Sequence, residues 1–111
     1  LMQNKIIKKP WGSEELIELN SKYCLKKLFM KKGHRCSLQY HEKKIETIFV
    51  LEGILHIETD KDKIILNQGE SITLSPGDVH RMSAIDIDAL YLEASTPELD
   101  DVIRIEDDYG R

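Results

Sequence analysis

Periodic Ile and Leu positions run through the chain in short segments, and nearly every segment is closed by a turn signal. The pattern predicts strands over Glu14 to Glu18, Tyr23 to Met30, Arg35 to Tyr40, Glu46 to Leu51, Ile54 to Thr59, Lys63 to Leu66, Ser71 to Leu74, His80 to Ala84 and Ala89 to Ala94. The breaks carry Asn20-Ser21, Lys32-Gly33, Glu52-Gly53, Asp60-Lys61-Asp62, Asn67-Gln68-Gly69 and Pro76-Gly77-Asp78. Many short strands at even spacing give a sandwich or a barrel. Two ends read differently. Residues before Glu14 form a polar arm, and Thr96-Pro97-Glu98 resembles a helix start, with a Thr cap, a Pro at the first position and acids in the first turn. A short C-terminal helix over Glu98 to Ile103 is therefore expected.

Composition supports the all-β reading. Fourteen Ile, 13 Leu and 3 Val stand against 3 Ala, a balance that suits pleated surfaces better than Ala-rich helices. The 111 residues fit one domain, and no repeat, linker or low-complexity tract divides them, so residues 1–111 are expected to form a single unit. The net charge of −4 is unevenly placed: residues 1–44 carry +7 and residues 45–111 carry −11. A basic first half can meet a phosphate, but it lacks the dense Lys/Arg block with interleaved aromatics of a nucleic-acid binder. No apolar run approaches a membrane span and no secretory leader is visible, so a cytoplasmic protein with no membrane partner is expected. Cys24 and Cys36 are isolated and are read as reduced, partly buried thiols.

The chemistry lies in a polar set among these apolar strands. Alternate residues share a strand face, which puts Arg35, Ser37, Gln39 and His41 on one side. Glu46 heads the next apolar run, and His80 follows Pro76-Gly77-Asp78-Val79 at the start of another strand. Two imidazoles and two oxygen donors can thus converge on one point.

The spacing of Gly33, Gln39, His41, Glu46 and Gly53, followed by Gly69 and Pro76-Gly77-Asp78-Val79-His80, resembles the two metal-binding motifs of the cupin superfamily. Gln39 stands where many members have a first His. The resemblance implies a jelly-roll β-barrel, a homodimer as in many small cupins, and a ligand set of Gln39, His41, Glu46 and His80. Imidazole nitrogens with a carboxylate and an amide oxygen suit one divalent ion, Zn²⁺ ahead of Fe, Mn, Co or Ni. Ser75 and Ala84 depart from the second motif, away from the metal-binding atoms.

Three stretches narrow the resemblance: Lys9-Pro10-Trp11-Gly12-Ser13, then Arg35 through His41, then Arg104-Ile105-Glu106-Asp107-Asp108-Tyr109-Gly110-Arg111. They are similar to signature stretches of type II mannose-6-phosphate isomerase, the C-terminal cupin domain of bifunctional mannose-1-phosphate guanylyltransferase/mannose-6-phosphate isomerase enzymes. That family implies interconversion of mannose 6-phosphate and fructose 6-phosphate, with a small phosphorylated sugar as ligand. On this reading Glu93 is the base, assisted by Lys44 and Arg104, while Arg35, Ser37, Arg81 and Arg111 contact substrate. Taken by itself, Glu93 in its apolar strand suits either an exposed edge or the barrel interior. Lys44 lies in His41-Glu42-Lys43-Lys44-Ile45-Glu46-Thr47-Ile48, where the bifunctional enzymes tend to read His-His-His-Arg-Ala-Glu-His-Trp. It therefore replaces a bidentate fork with a point charge. A metal- and sugar-binding cupin without turnover, and another sugar isomerase or epimerase on the same barrel, are the competing readings.

Overall fold

Twelve strands form two sheets in the computed structural model, which describes residues 4–111. The first sheet holds β1 (Lys5–Lys9), β2 (Gly12–Leu19), β3 (Cys24–Met30), β6 (Glu46–Glu52), β9 (Ser71–Leu74) and β11 (Ala89–Ser95) in the order β1-β2-β3-β11-β6-β9. The second holds β5 (Leu38–Tyr40), β7 (Leu55–Thr59), β8 (Lys63–Leu66), β10 (His80–Ala84) and β12 (Ile103–Glu106) in the order β12-β5-β10-β7-β8, with β4 (His34–Arg35) also paired to β10. Every pairing is antiparallel. The two sheets stack as a jelly-roll sandwich around one core that includes Leu28, Ile48 and Tyr91 from the first sheet and Leu55, Ile57 and Met82 from the second.

Each of the nine expected segments contains a strand, and both ends of the chain differ from expectation. The polar arm contributes β1, a hairpin partner of β2 with Lys9 opposite Gly12 across Pro10-Trp11. Gly12 lies against β3 so closely that a Cβ there would collide with the Phe29 carbonyl.

The expected C-terminal helix does not form. Leu99 N–H bonds to Pro97 O at 2.8 Å and Val102 N–H to Asp100 O at 3.0 Å, contacts two residues apart that fold the segment into tight turns. The Asp101 carboxylate is drawn across to the backbone N–H groups of Glu42, Lys43 and Lys44, and the chain then leaves as β12 to pair with β5. Tertiary hydrogen bonds thus outweigh a local helix-start signal whose propensity is worth only tenths of a kcal/mol per residue, on the order of 0.7 at most.

The inward rows change character along the strands. Reading Tyr91 then Glu93 on β11, Val50, Ile48, Glu46 on β6, and Ala84, Met82, His80 on β10, each row passes from apolar to charged or polar, and on β3 Lys26 follows Met30 and Leu28 ahead of the buried Cys24. One end of the sandwich is a packed hydrocarbon core. The other opens into a cavity where Gln39, His41, Lys44, Glu46 and Glu93 meet the apolar side chains of Leu28, Met82 and Tyr91.

Candidate metal centre

Three buried side chains meet at the polar end. Glu46 opens β6 and His80 opens β10, while His41 follows β5; all three are almost fully buried. His41 Nε2 lies 3.3 Å and His80 Nε2 3.1 Å from the same oxygen, Glu46 Oε1. The other ring nitrogens are committed. His80 Nδ1 donates to Asp78 O at 2.8 Å, and His41 Nδ1 donates to Asp101 O. A carbonyl can only accept, so each ring carries a proton on Nδ1, and in its neutral form presents a bare lone pair at Nε2.

With both rings neutral, two nitrogen lone pairs and a carboxylate oxygen point together inside the protein, and none of the three atoms has a hydrogen-bond partner. Three buried acceptors without a donor would be costly on their own. A divalent cation would satisfy all three, and His41, Glu46 and His80 can hold one. The backbone supports the same geometry: Gly77 N–H bonds to His41 O at 2.7 Å, tying the Pro76-Gly77 turn to the first motif. Gln39 lies directly opposite His80 in register and lines the same cavity. Its side-chain oxygen accepts a 2.6 Å bond from Ser37.

Charge is layered around this point. Lys44 Nζ lies 3.5 Å from Glu46 Oε2 and 3.7 Å from Glu93 Oε1, with all three side chains buried. Burial pushes the Glu46 carboxyl up; where His41 and His80 donate to it from Nε2, those bonds, with the Lys44 charge, outweigh burial and hold Glu46 well below the usual carboxylate range. Burial pushes Glu93 up to about 8, reinforced by the Glu46 charge and only partly opposed by Lys44. Of the two settings open to Glu93 from sequence, the interior one is the one observed. The cavity itself, about 290 Å³, sits near the lower end of ligand pockets and suits one small ligand.

The other expected site residues divide sharply. Arg104 and Arg111 line the cavity beside Lys44 and Glu93. Arg111 is tied to Asp107 at 3.0 Å, whereas Arg104 makes no side-chain ion pair among the described residues. Arg35, Ser37 and Arg81 lie away from the cavity wall. The expectation that Arg35, Ser37, Gln39 and His41 share a face fails, because four steps from Arg35 to Gln39 face three from Ser83 to His80. That extra residue reverses the parity. Arg35 turns outward to Asp108, bonded at 2.6 and 3.0 Å, and Cys36 turns inward to the core. Ser37 is fully buried behind Gln39. Arg81 faces away from His80's side of β10, donating to Cys36 O at 3.0 Å and Glu106 O at 3.2 Å. Both cysteines are free and buried, and burial pushes the Cys36 thiol up to about 11.

Four residues of this end were not singled out from sequence. Glu14 and Lys26 line the cavity, and a Lys on the inward parity with Cys24, Leu28 and Met30 was the available signal. Asp101 and Asp78 hold the two imidazoles through their backbone carbonyls, which leaves no mark in side-chain chemistry.

Comparison with known proteins places this arrangement. The family described as mannose-6-phosphate isomerase C-terminal matches residues 1–107. The chain belongs to that family. Two relatives of this mannose-6-phosphate isomerase C-terminal domain are a mannose-1-phosphate guanylyltransferase of Escherichia coli, 32% identical over 107 residues, and the alginate biosynthesis protein AlgA of Pseudomonas aeruginosa, 29% identical over 107 residues. In both, the match covers 93% of this chain but only 22% of the relative, so the chain spans about a fifth of those proteins. A solved cupin-2 domain from Rhodospirillum rubrum superposes with a TM-score of 0.82 at 13% identity, over 91% of this chain and 74% of that one. The fold is a cupin. Among the described residues, no helix is long and apolar enough to cross a membrane.

Proposed function

We propose that this domain is a metal-dependent aldose–ketose isomerase acting on mannose 6-phosphate and fructose 6-phosphate. The observation that carries the reading is the convergence of His41 Nε2, His80 Nε2 and Glu46 Oε1 on one point, next to a buried carboxyl that is free to carry a proton. A divalent ion held by His41, Glu46 and His80, with Gln39 as a fourth donor, supplies Lewis-acid polarisation of a sugar oxygen; Zn²⁺ suits that donor set, as do Fe, Mn, Co and Ni.

The chain's own residues account for the rest. Glu93 moves the proton between carbon 1 and carbon 2; its carboxyl, pushed up by burial, can both take and return it. Lys44 stands between Glu46 and Glu93, where its ammonium offsets the negative charge that grows on the sugar's oxygens. Arg104, uncommitted at the cavity wall, takes the phosphate in a bidentate contact, with Arg111 beside it. Ser37 fixes the Gln39 amide, and so acts on the site from behind it.

The test is proton exchange at sugar carbon 2 in deuterated water, followed by NMR on protein loaded in turn with Zn²⁺, Fe²⁺, Mn²⁺, Co²⁺ and Ni²⁺. Exchange with at least one metal, lost in Glu93→Gln, is the expected result. Binding of mannose 6-phosphate with no exchange under any metal identifies a binding domain without turnover.

A further inference from the structure

Beyond β12 the chain closes into a turn over residues 107–111 that pairs with no strand. One side chain organises it. The Asp107 carboxylate accepts from the main-chain N–H groups of Tyr109 at 3.2 Å and Arg111 at 3.0 Å, and it takes Arg111 Nε at 3.0 Å as well. The Arg111 guanidinium also lies over the Tyr109 ring, 5.9 Å from its centroid. One edge and one face of the guanidinium are thus held, while its two Nη groups have no partner among the described residues. Arg111 lines the cavity and its side chain is 26% exposed, so a ligand there can reach it.

Two other side chains of the turn reach β4. Asp108 accepts a bidentate contact from Arg35, 2.6 Å from Nε and 3.0 Å from Nη2. Tyr109 stacks on His34, with ring centroids 6.4 Å apart and planes inclined by 8°, and its Oη lies 3.1 Å from His34 Nδ1. β4 is itself fixed, since His34 and Arg35 stand opposite Ala84 and Ser83 of β10. The extra residue that turns Arg35 out of the cavity is therefore what brings it to Asp108. At 44% and 43% exposure this ion pair adds little to stability, because water screens it. Its two-point geometry fixes orientation instead.

We propose that Arg35 is a positioning residue for ligand binding: through Asp108 it clasps the turn to β4 and so holds Arg111 at the cavity, where the Nη groups donate to the ligand's phosphate alongside Arg104. Released from the clasp, the turn and the arginine have to be ordered as the ligand binds, and affinity falls with the fraction of molecules in which Arg111 is in place. The inference rests on the sugar-phosphate reading of the same cavity. It gives Arg35, which does not line the cavity, an indirect part in binding.

Calorimetry on the metal-loaded chain, with mannose 6-phosphate as the probe, tests it. Asp108→Ala removes a negative charge, so long-range electrostatics alone would tighten phosphate binding. The clasp predicts the opposite, a weakening of about fivefold, or about 1 kcal/mol. Exchanging the pair, Arg35→Asp with Asp108→Arg, should recover most of the affinity lost in Arg35→Asp alone. In an Arg111→Ala background, itself about tenfold weaker, Asp108→Ala should cost nothing more. Metal content should stay at the wild-type value in every variant. Unchanged or tighter binding in Asp108→Ala, or the same fivefold loss with Arg111 already removed, overturns the positioning role and leaves the sugar-phosphate reading standing. A wild-type chain that does not bind mannose 6-phosphate overturns both.

Discussion

Replacing Arg81 separates a structural arginine from a substrate arginine. Its guanidinium is buried, and two of its nitrogens donate to backbone carbonyls of segments far apart in sequence: Cys36, within the bulge before β5, and Glu106, at the end of β12. Hydrogen bonds from a charged donor contribute about 1.5–3 kcal/mol each, so the two together are worth roughly 3–6 kcal/mol. The Glu106 carboxylate, 4.0 Å away and 65% exposed, adds little because water screens it. The lower half of the range is the better expectation for Arg81→Met, since water can reach the Glu106 carbonyl once the side chain is shortened; about 3–4 kcal/mol is a large share of a total near 5–15 kcal/mol. Arg81→Lys keeps the charge but loses the fork, and should fall between wild type and Arg81→Met. Urea unfolding measures both. Mannose 6-phosphate affinity, measured well below the transition, should drop only as far as β12 loosens its hold on Arg104. A stability loss under 1 kcal/mol with a large affinity loss would refute the bracing role and return Arg81 to the substrate.

If the proposed isomerase reading holds, Arg104→Ala lowers turnover about 100-fold, a loss of about 2.7 kcal/mol, with metal content intact, and Lys44→Arg holds or raises it; steady-state kinetics with elemental analysis checks both. Asp101→Ala releases the backbone N–H groups of Glu42, Lys43 and Lys44, which flank His41, and should weaken metal binding about tenfold in competition titrations with a chelator. Those three bonds also hold the Asp101 carboxyl below its ordinary value, so their support is present above the unfolded value and lost as pH falls through the lower folded one. Glu93 acts in the opposite sense: raised from 4.5 to about 8, it binds more protons folded than unfolded between those values. The metal-free domain should accordingly lose stability as pH rises across that window, and thermal melts of Glu93→Gln should show a flatter slope. Gly53→Ala places a Cβ against the Asp88 carbonyl at a φ of +83°, and should destabilise by more than about 2 kcal/mol in denaturant unfolding.

Some of this protein was legible before any fold was known. Strands follow from side-chain period and from turn residues, which are local properties, and so Lys63–Leu66, Ser71–Leu74 and His80–Ala84 appear where the pattern predicts them. His41, Glu46 and His80 were legible through the resemblance of their spacing to the cupin metal motifs, because metal ligation requires particular atoms. What the fold alone decides depends on register and on partners distant in sequence. One extra residue between Arg35 and Gln39 turns Arg35 out and Cys36 in, and nothing local marks it. The Thr96-Pro97 helix start is overruled because Asp101 finds the backbone of residues 42–44, some 57 to 59 positions away. Glu93 and Lys26 become cavity residues because β11 pairs with both β3 and β6, which sets them inside the sandwich next to Glu46 and Glu14. A single strand shows only that a charged residue occupies an inward position; which charges surround it is settled when the sheets close.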